Sequence, residues 1–386
     1  MATKKTQDGD LPEDMIWEIL VRLPPKYLLR CRAVCKDWRR LATDRSLLVD
    51  HHSRQPAQPL ITVFHENGGA TGFSRNCLEA VDLATDKRRI LARFVDRVRR
   101  GDRHRNLDVF YALRVHGSCD GLLLLSFVLS FVRTFFVCNP VTHQGTLLPL
   151  PSHVRAIAGF YAHAASVEYR VLCRRDDDGY KSEYEYDVLT LNWHIRRHSS
   201  SASVFGCHWP PVLLHDCLHW PPQRQEGGIL VFHTDAETFK SISPPAAAAC
   251  EHSRLFEMDG ELAIFCWQQN AWTSDLWLME NYEEAIWTCK YQIELSPMRA
   301  SRGFPWDPPI VYREGDMLLE GGWRFVLHYD NRGQLQGYFD CDVSSLNLTP
   351  YLLKESLVLH DFLETQQNSA AFLRAVVEFV DEFPVT

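Results

Sequence analysis

The sequence predicts a chain of two parts, α followed by all-β: a three-helix domain over residues 8–52, then a β-propeller of about six blades over residues 58–386. Apolar residues recur at three- and four-residue steps mainly near the amino end, the period of a helix face. Beyond that point the chain shows short alternating apolar runs between Gly, Pro, Asn and Asp, the mark of strands and turns. The turns return at a nearly constant interval. A β-sandwich is the alternative for the second part, but a sandwich needs no steady period.

In the helical part, Ile16, Ile19, Leu20 and Leu23 fall on one helix face. Asp10 and Glu13 are spaced as a capping box, and Pro12 suits a first turn. Pro24 and Pro25 stop this helix, because proline clashes with the preceding turn and cannot donate. A second short helix is expected to carry Tyr27, Leu28 and Leu29, and a third Val34, Cys35, Trp38 and Leu41. A segment this short makes a small independent core, so a bound partner is expected to add stability.

The stretch LPEDMIWEILVRLPPKYLLRCRAVCKDWRRLATDRSL, residues 11–47, resembles the F-box family. The pieces that carry the likeness are the Leu-Pro start, Glu-Ile-Leu, Arg-Leu-Pro and Val-Cys-Lys-x-Trp, in that order and spacing. The resemblance implies binding to the Skp-type adaptor of cullin–RING ubiquitin ligases. By matching position it implies an adaptor face drawn from Leu11, Pro12, Ile16, Ile19, Leu20, Leu23, Pro24 and Leu28. Val34, Cys35, Trp38 and Leu41 would mix core packing with that contact. Met15 and Tyr27 depart from the residues usual in the family.

In the β part, six polar turns can be marked at Asp82, Asn139, Asp187, His233, Glu280 and Tyr329. From Asn139 onward they lie 48, 46, 47 and 49 residues apart; the first step is 57, its excess falling in RVRRGDRHRNLD. Each turn joins two apolar strands, and a further strand pair often precedes it, as SCDGLLLLSF precedes TFFVCNP. Three or four strands in this length make one propeller blade. A blade cannot bury both faces alone, so blades must stack around an axis. Closure is expected between Pro59–Phe64 and the carboxy-terminal stretch, with Ser356–Phe362 as the candidate partner. Taken whole, the chain resembles the plant proteins that join an F-box to a diverged, Kelch-like F-box-associated β-propeller. That likeness rests on architecture, on SCDGLLLL and on CNPVT.

Composition narrows the function classes. The net charge is −8, with 23% charged and 46% apolar residues, which gives no general drive toward nucleic acid or anionic membrane. MATKKTQDGD contains no apolar stretch, so no secretory signal is read; a cytoplasmic or nuclear location with reduced thiols is expected. The run Gly121–Val137 is apolar but broken by Arg133 and too short for a span of roughly 20 residues; two buried strands are expected instead. Cys217 and His219 share a strand face, yet their spacing matches no common zinc pattern. Lys87–Arg105 is basic without interleaved aromatics and reads as a solvated insertion. No nucleophile elbow, phosphate loop or His-Glu-x-x-His occurs. No catalytic residue, cofactor or metal site is therefore assigned.

The combined expectation is a non-catalytic substrate receptor of an SCF-type ubiquitin ligase, holding a protein target on its propeller. Alternatives are an F-box scaffold acting outside ubiquitination, or a propeller hydrolase or lectin. Trp209, Trp220 and Trp306, each beside proline, are the candidates for a substrate face, since aromatic anchors dominate binding hot spots.

Overall fold

A computed structural model describes residues 11–66, 74–82, 87–95, 113–129, 132–151, 154–166, 168–175, 184–191, 195–202, 210–222, 227–245, 252–267, 273–294, 310–312, 316–320, 325–332, 334–340, 345–364 and 376–380. The amino end forms four helices: α1 (Glu13–Leu20), α2 (Pro25–Cys31), α3 (Lys36–Leu41) and α4 (Arg45–Arg54). Pro12 sits at the N-cap of α1 without a side-chain cap, and Asp10 lies outside the described residues. Pro25 opens α2 at a first-turn position, where its missing N–H costs nothing. Val34 and Cys35 precede α3 rather than belonging to it; the Cys35 sulfur accepts from the Trp38 amide at 3.4 Å.

The fourth helix corrects the expectation of three. Its sequence, RSLLVDHHSR, is mostly polar and shows weak periodicity. It forms because Asp44 accepts from the amides of Ser46 and Leu47, at 2.8 and 3.2 Å, closing two orphan donors. Leu47, Leu48 and His51 are its buried side.

Six antiparallel sheets follow. The first blade holds β1 (Ala57–Glu66), β2 (Ser74–Asp82) and β3 (Lys87–Val95). The second holds β4 (Arg114–Cys119), β5 (Leu122–Leu129), β6 (Val132–Asn139) and β7 (Gln144–Leu148). The third holds β8 (Val154–His163), β9 (Glu168–Arg175), β10 (Tyr184–Thr190) and β11 (Ile195–Ala202). The fourth holds β12 (Val212–Leu214), β13 (Cys217–Trp220), β14 (Ile229–His233) and β15 (Thr238–Ile242). The fifth holds β16 (His252–Met258), β17 (Glu261–Trp267), β18 (Thr273–Asn281) and β19 (Ile286–Glu294). The sixth holds β20 (Ile310–Tyr312), β21 (Asp316–Glu320), β22 (Phe325–Tyr329) and β23 (Leu335–Asp340).

The chain then returns to the first blade through β24 (Ser345–Lys354), passes a short α5 (Asp361–Glu364), and adds β25 (Val377–Phe379) beside β3. Closure therefore pairs β1 with β24, Thr62 opposite Asn347 and Val63 opposite Leu346. This corrects the expected partner, Ser356–Phe362: those residues are irregular or helical and lie past the closing strand. Closure in this way gives β1 a partner on both of its edges, β24 on one and β2 on the other.

All six marked turn positions fall in the third strand of a blade or at its end, counting β24 as the first strand of the first blade. Asp187 sits mid-strand in β10, whereas Asn139, His233 and Tyr329 are last in theirs. The core is divided in the same way. Six of the seven apolar clusters are blade-to-blade interfaces. In β5, Leu123 and Leu125 pack toward the first blade and Leu122 and Leu124 toward the third. A strand buried on both faces is apolar at nearly every position, and β5, with Ser126 as its one polar residue, accounts for the first half of the Gly121–Val137 run. Among the described residues, no helix is long and apolar enough to cross a membrane.

Eight described cysteines are free, six of them buried. Cys266 is disulfide-bonded, a departure from the expectation of reduced thiols throughout.

Candidate functional site

The seventh apolar cluster joins the helices to the propeller. It contains Leu20, Val21, Leu28, Leu41, Leu47 and Leu48 together with Leu357 and Val358, with Val141 packed against it. Residues 354–360 form a strap leaving β24 and lying across α4. The ring nitrogen Nδ1 of His52 is 2.9 Å from the Glu355 carbonyl oxygen, and Lys354 Nζ donates to the Ser53 carbonyl at 2.8 Å. Asn139, fully buried, donates from Nδ2 to the Ser356 carbonyl at 3.0 Å while its Oδ1 accepts from Val141 and Thr142. Gly121 has φ of +81°, and a Cβ there would lie 2.3 Å from the Ser356 Cβ. The helices thus rest on the propeller face formed by the β4–β5 and β6–β7 turns.

This packing sorts the residues of the expected adaptor face. Leu11, Pro12, Ile19, Pro24, Val34 and Cys35 are exposed; Ile16, Leu23 and Trp38 are half-buried. Leu20, Leu28 and Leu41 are at most 2% exposed. They cannot be part of an open face, because they are the inner side of the helical domain and touch the strap cluster. Met15 and Ile19, four residues apart, share one side of α1, and Leu11 precedes its N-cap Pro12; the three are 40–52% exposed. Tyr27, Leu29 and Val34 extend the exposed apolar surface. Met15, Tyr27 and Leu29 were not among the expected residues, although the four-residue step from Met15 to Ile19 is a signal for the first.

Charge frames this surface. Arg40 pairs with Glu13 at 2.6 Å, and Glu18 pairs with Arg22 at 2.8 Å and Arg54 at 3.2 Å. Such exposed pairs add little stability. Trp17 Nε1 donates to Asp50 at 3.0 Å, and this bond, with Arg54 nearby, holds the Asp50 carboxyl below its usual range. Lys26 and Arg30 lie 5.9 and 5.7 Å from the Tyr27 ring centroid, so the apolar patch has a basic margin.

On the propeller, Trp220 is 2% exposed and packs with Phe232 and Leu218 between the third and fourth blades. It is core, not recognition surface. Trp209 and Trp306 lie outside the described residues. His219 is engaged at both ring nitrogens, Nε2 with the Tyr282 hydroxyl at 2.6 Å and Nδ1 with the Val212 carbonyl at 3.2 Å. Burial pushes its pKa down to about 4. Those engagements leave no ring nitrogen open for a metal beside Cys217.

The comparisons with known proteins agree with this geometry. The family described as "F-box domain" matches residues 9–50, and that described as "F-box associated beta propeller domain" matches residues 104–304. F-box protein At1g30790 of Arabidopsis thaliana is 24% identical over 82% of this chain and 84% of its own length. F-box protein At5g49610 of the same plant is 24% identical over 85% and 91%. Putative F-box protein At1g33530, also from Arabidopsis thaliana, is 27% identical over 61% of this chain, which spans only 50% of that protein. With its propeller match covering just over half of the sequence, behind a matched F-box, the chain belongs to the F-box associated beta propeller family.

Proposed function

We propose that this chain is the substrate-recognition subunit of an SCF-type cullin–RING ubiquitin ligase. The observation that carries the reading is the set Leu11, just before α1, and Met15 and Ile19 on its outer side, all left open while the inner side of the helix is sealed to the propeller strap. An apolar set of this kind, in an F-box, is where a Skp-type adaptor would bury surface. The unit of adaptor binding is taken as residues 8–52 and the unit of target binding as 58–386. The propeller face opposite the helices then points away from the adaptor and receives a target protein.

The chain performs no bond chemistry in this scheme. It raises the effective concentration of a target lysine near a ubiquitin thioester held elsewhere on the scaffold. Tryptophans 209 and 306 stay proposed as target contacts. A cytoplasmic or nuclear place of action follows from the same proposal. Capture of the full chain on purified adaptor tests it. Stoichiometric binding, with the cullin recruited in turn, is expected. A folded chain that fails to bind rejects the role, and binding without cullin recruitment favours the non-ubiquitin scaffold.

A further inference from the structure

On the second blade the strands β4, β5 and β6 bring Arg114, His116, Ser126 and Arg133 to one side of the sheet. Arg114 is the register partner of Ser126, and Arg133 that of Val128, two residues along β5. The Ser126 hydroxyl is fully buried and is the hub: Arg133 Nη1 donates to it at 2.9 Å, and His116 Nε2 lies 2.7 Å from it. The His116 ring also packs against Phe135, centroids 5.3 Å apart. A buried hydroxyl and a packed imidazole thus hold one arm of the Arg133 guanidinium.

The two described arginines of this cluster, Arg133 and Arg114, repel each other. The Arg133 guanidinium is disfavoured first by partial burial and then by the neighbouring Arg114. His116 is held neutral, its pKa down to about 3, by burial and then by Arg133 and Arg114. Ser126 is the partner of Arg133 among the described residues, and no carboxylate there is paired with it. A guanidinium presents five donors in a fixed fork, so most of this fork stays open at the exposed end of the side chain.

The position is as informative as the chemistry. β4 runs from Arg114 to the Asp120–Gly121 turn under the strap, and β6 runs from Val132 to Asn139, also under it. Arg114 lies six residues, roughly 20 Å of strand, from that turn. Arg133 is likewise at the far end of its strand. The cluster therefore opens on the propeller face opposite the helices.

We infer that Arg133, positioned by Ser126 and His116, is an anion-binding site for an acidic peptide segment of the captured target, taking a carboxylate or phosphate oxygen pair on the guanidinium fork. The inference rests on the receptor reading for its partner, and it names the chemistry by which that face would choose. Guanidinium with an oxyanion is a bidentate, charge-assisted pairing. Partial desolvation at a blade edge strengthens it relative to open water.

The test uses the full chain bound to its adaptor and fluorescently labelled peptides of glutamate, of glutamine, and of a serine sequence with and without phosphate. Anisotropy should show salt-sensitive binding of the acidic peptides and none of the neutral ones. Glutamate against phosphoserine decides which oxyanion is preferred. Arg133→Gln should weaken acidic binding about tenfold or more, with adaptor binding and the unfolding midpoint unchanged. Arg133→Glu should abolish it and create affinity for a lysine peptide. Equal binding of acidic and neutral peptides, no binding by the parent chain, or full binding by Arg133→Glu overturns the site. Loss of adaptor capture with acidic binding intact would instead sink the receptor reading and leave the site standing.

Discussion

His52 and Glu355 meet at 2.9 Å, ring nitrogen to carbonyl oxygen, across 303 residues of sequence. That contact lies between the last turn of α4 and the strap that leaves the closing strand of the propeller. The F-box and the ring therefore share one hydrophobic cluster, so the two parts should unfold together.

Leu357 is 2% exposed within that cluster. Leu357→Ala leaves a cavity among Leu20, Leu47 and Leu48 and should cost about 2–4 kcal/mol. Denaturant unfolding followed separately by helix and by tryptophan signals checks this. The parent should show coincident transitions, and the variant a split in which helical signal is lost first.

Truncating the outer set should behave in the opposite way. Leu11→Ala with Ile19→Ala removes apolar surface that is already in water, so stability should move by no more than about 0.5 kcal/mol. Adaptor affinity should fall at least about tenfold, because buried anchors carry most of an interface's energy. Leu20→Ala should instead lower stability by about 2–5 kcal/mol. Calorimetric titration with adaptor, set beside unfolding midpoints, separates the two classes.

Arg170 and Glu237 form a buried ion pair between the third blade and the β14–β15 turn of the fourth, with the Tyr161 hydroxyl alongside at 3.5 Å from Glu237. Glu237→Ala strands a 2%-exposed guanidinium with, among the described residues, Glu168 and Ser166 left to answer it. The expected loss is about 3–5 kcal/mol, the usual cost of breaking a buried pair by one partner. Replacing both Arg170 and Glu237 with apolar residues should recover part of it, and a double-mutant cycle measures how much.

The architecture was readable because the physics repeats. Polar turns such as Asn139 and His233 recur once per blade, since every blade must turn back at the same radius. The doubly buried β5 announced itself as an apolar run broken only at Ser126. The helix ends were readable from Pro24 and Pro25, although Pro25 proved a start as well as a stop. What stayed hidden depends on distant chain. Leu20 and Ile19 are adjacent apolar residues with equal claims on a binding face, and only the strap 337 residues beyond Leu20 decides that Leu20 turns inward. Ser356–Phe362 looked like a closing strand because it is apolar; Leu357 and Val358 instead serve the helices, and Phe362 packs between the second and third blades. Trp220 beside Pro221 carried no mark that its blade would enclose it.

Protonation of buried imidazoles should set the acid limit of the fold. His360 is 8% exposed, packed against Tyr169 and Phe362 at centroid distances of 5.3 and 5.6 Å. Burial first, then Arg45, pushes its pKa down to about 4. His116 is lowered further, to about 3. Unfolded imidazoles titrate near 6.5, so the unfolded state binds more protons between that value and the folded pKa. Stability is then fully present above about pH 6.5 and falls as the pH drops through the folded values. The loss from His360 is on the order of 1.4 kcal/mol per pH unit across that window. Unfolding midpoints measured from pH 7 to pH 4 should slope downward toward acid. His360→Phe should flatten the slope if it folds, since the replacement keeps a ring against Tyr169 and has nothing to protonate; a slope identical to the parent's would locate the acid sensitivity elsewhere.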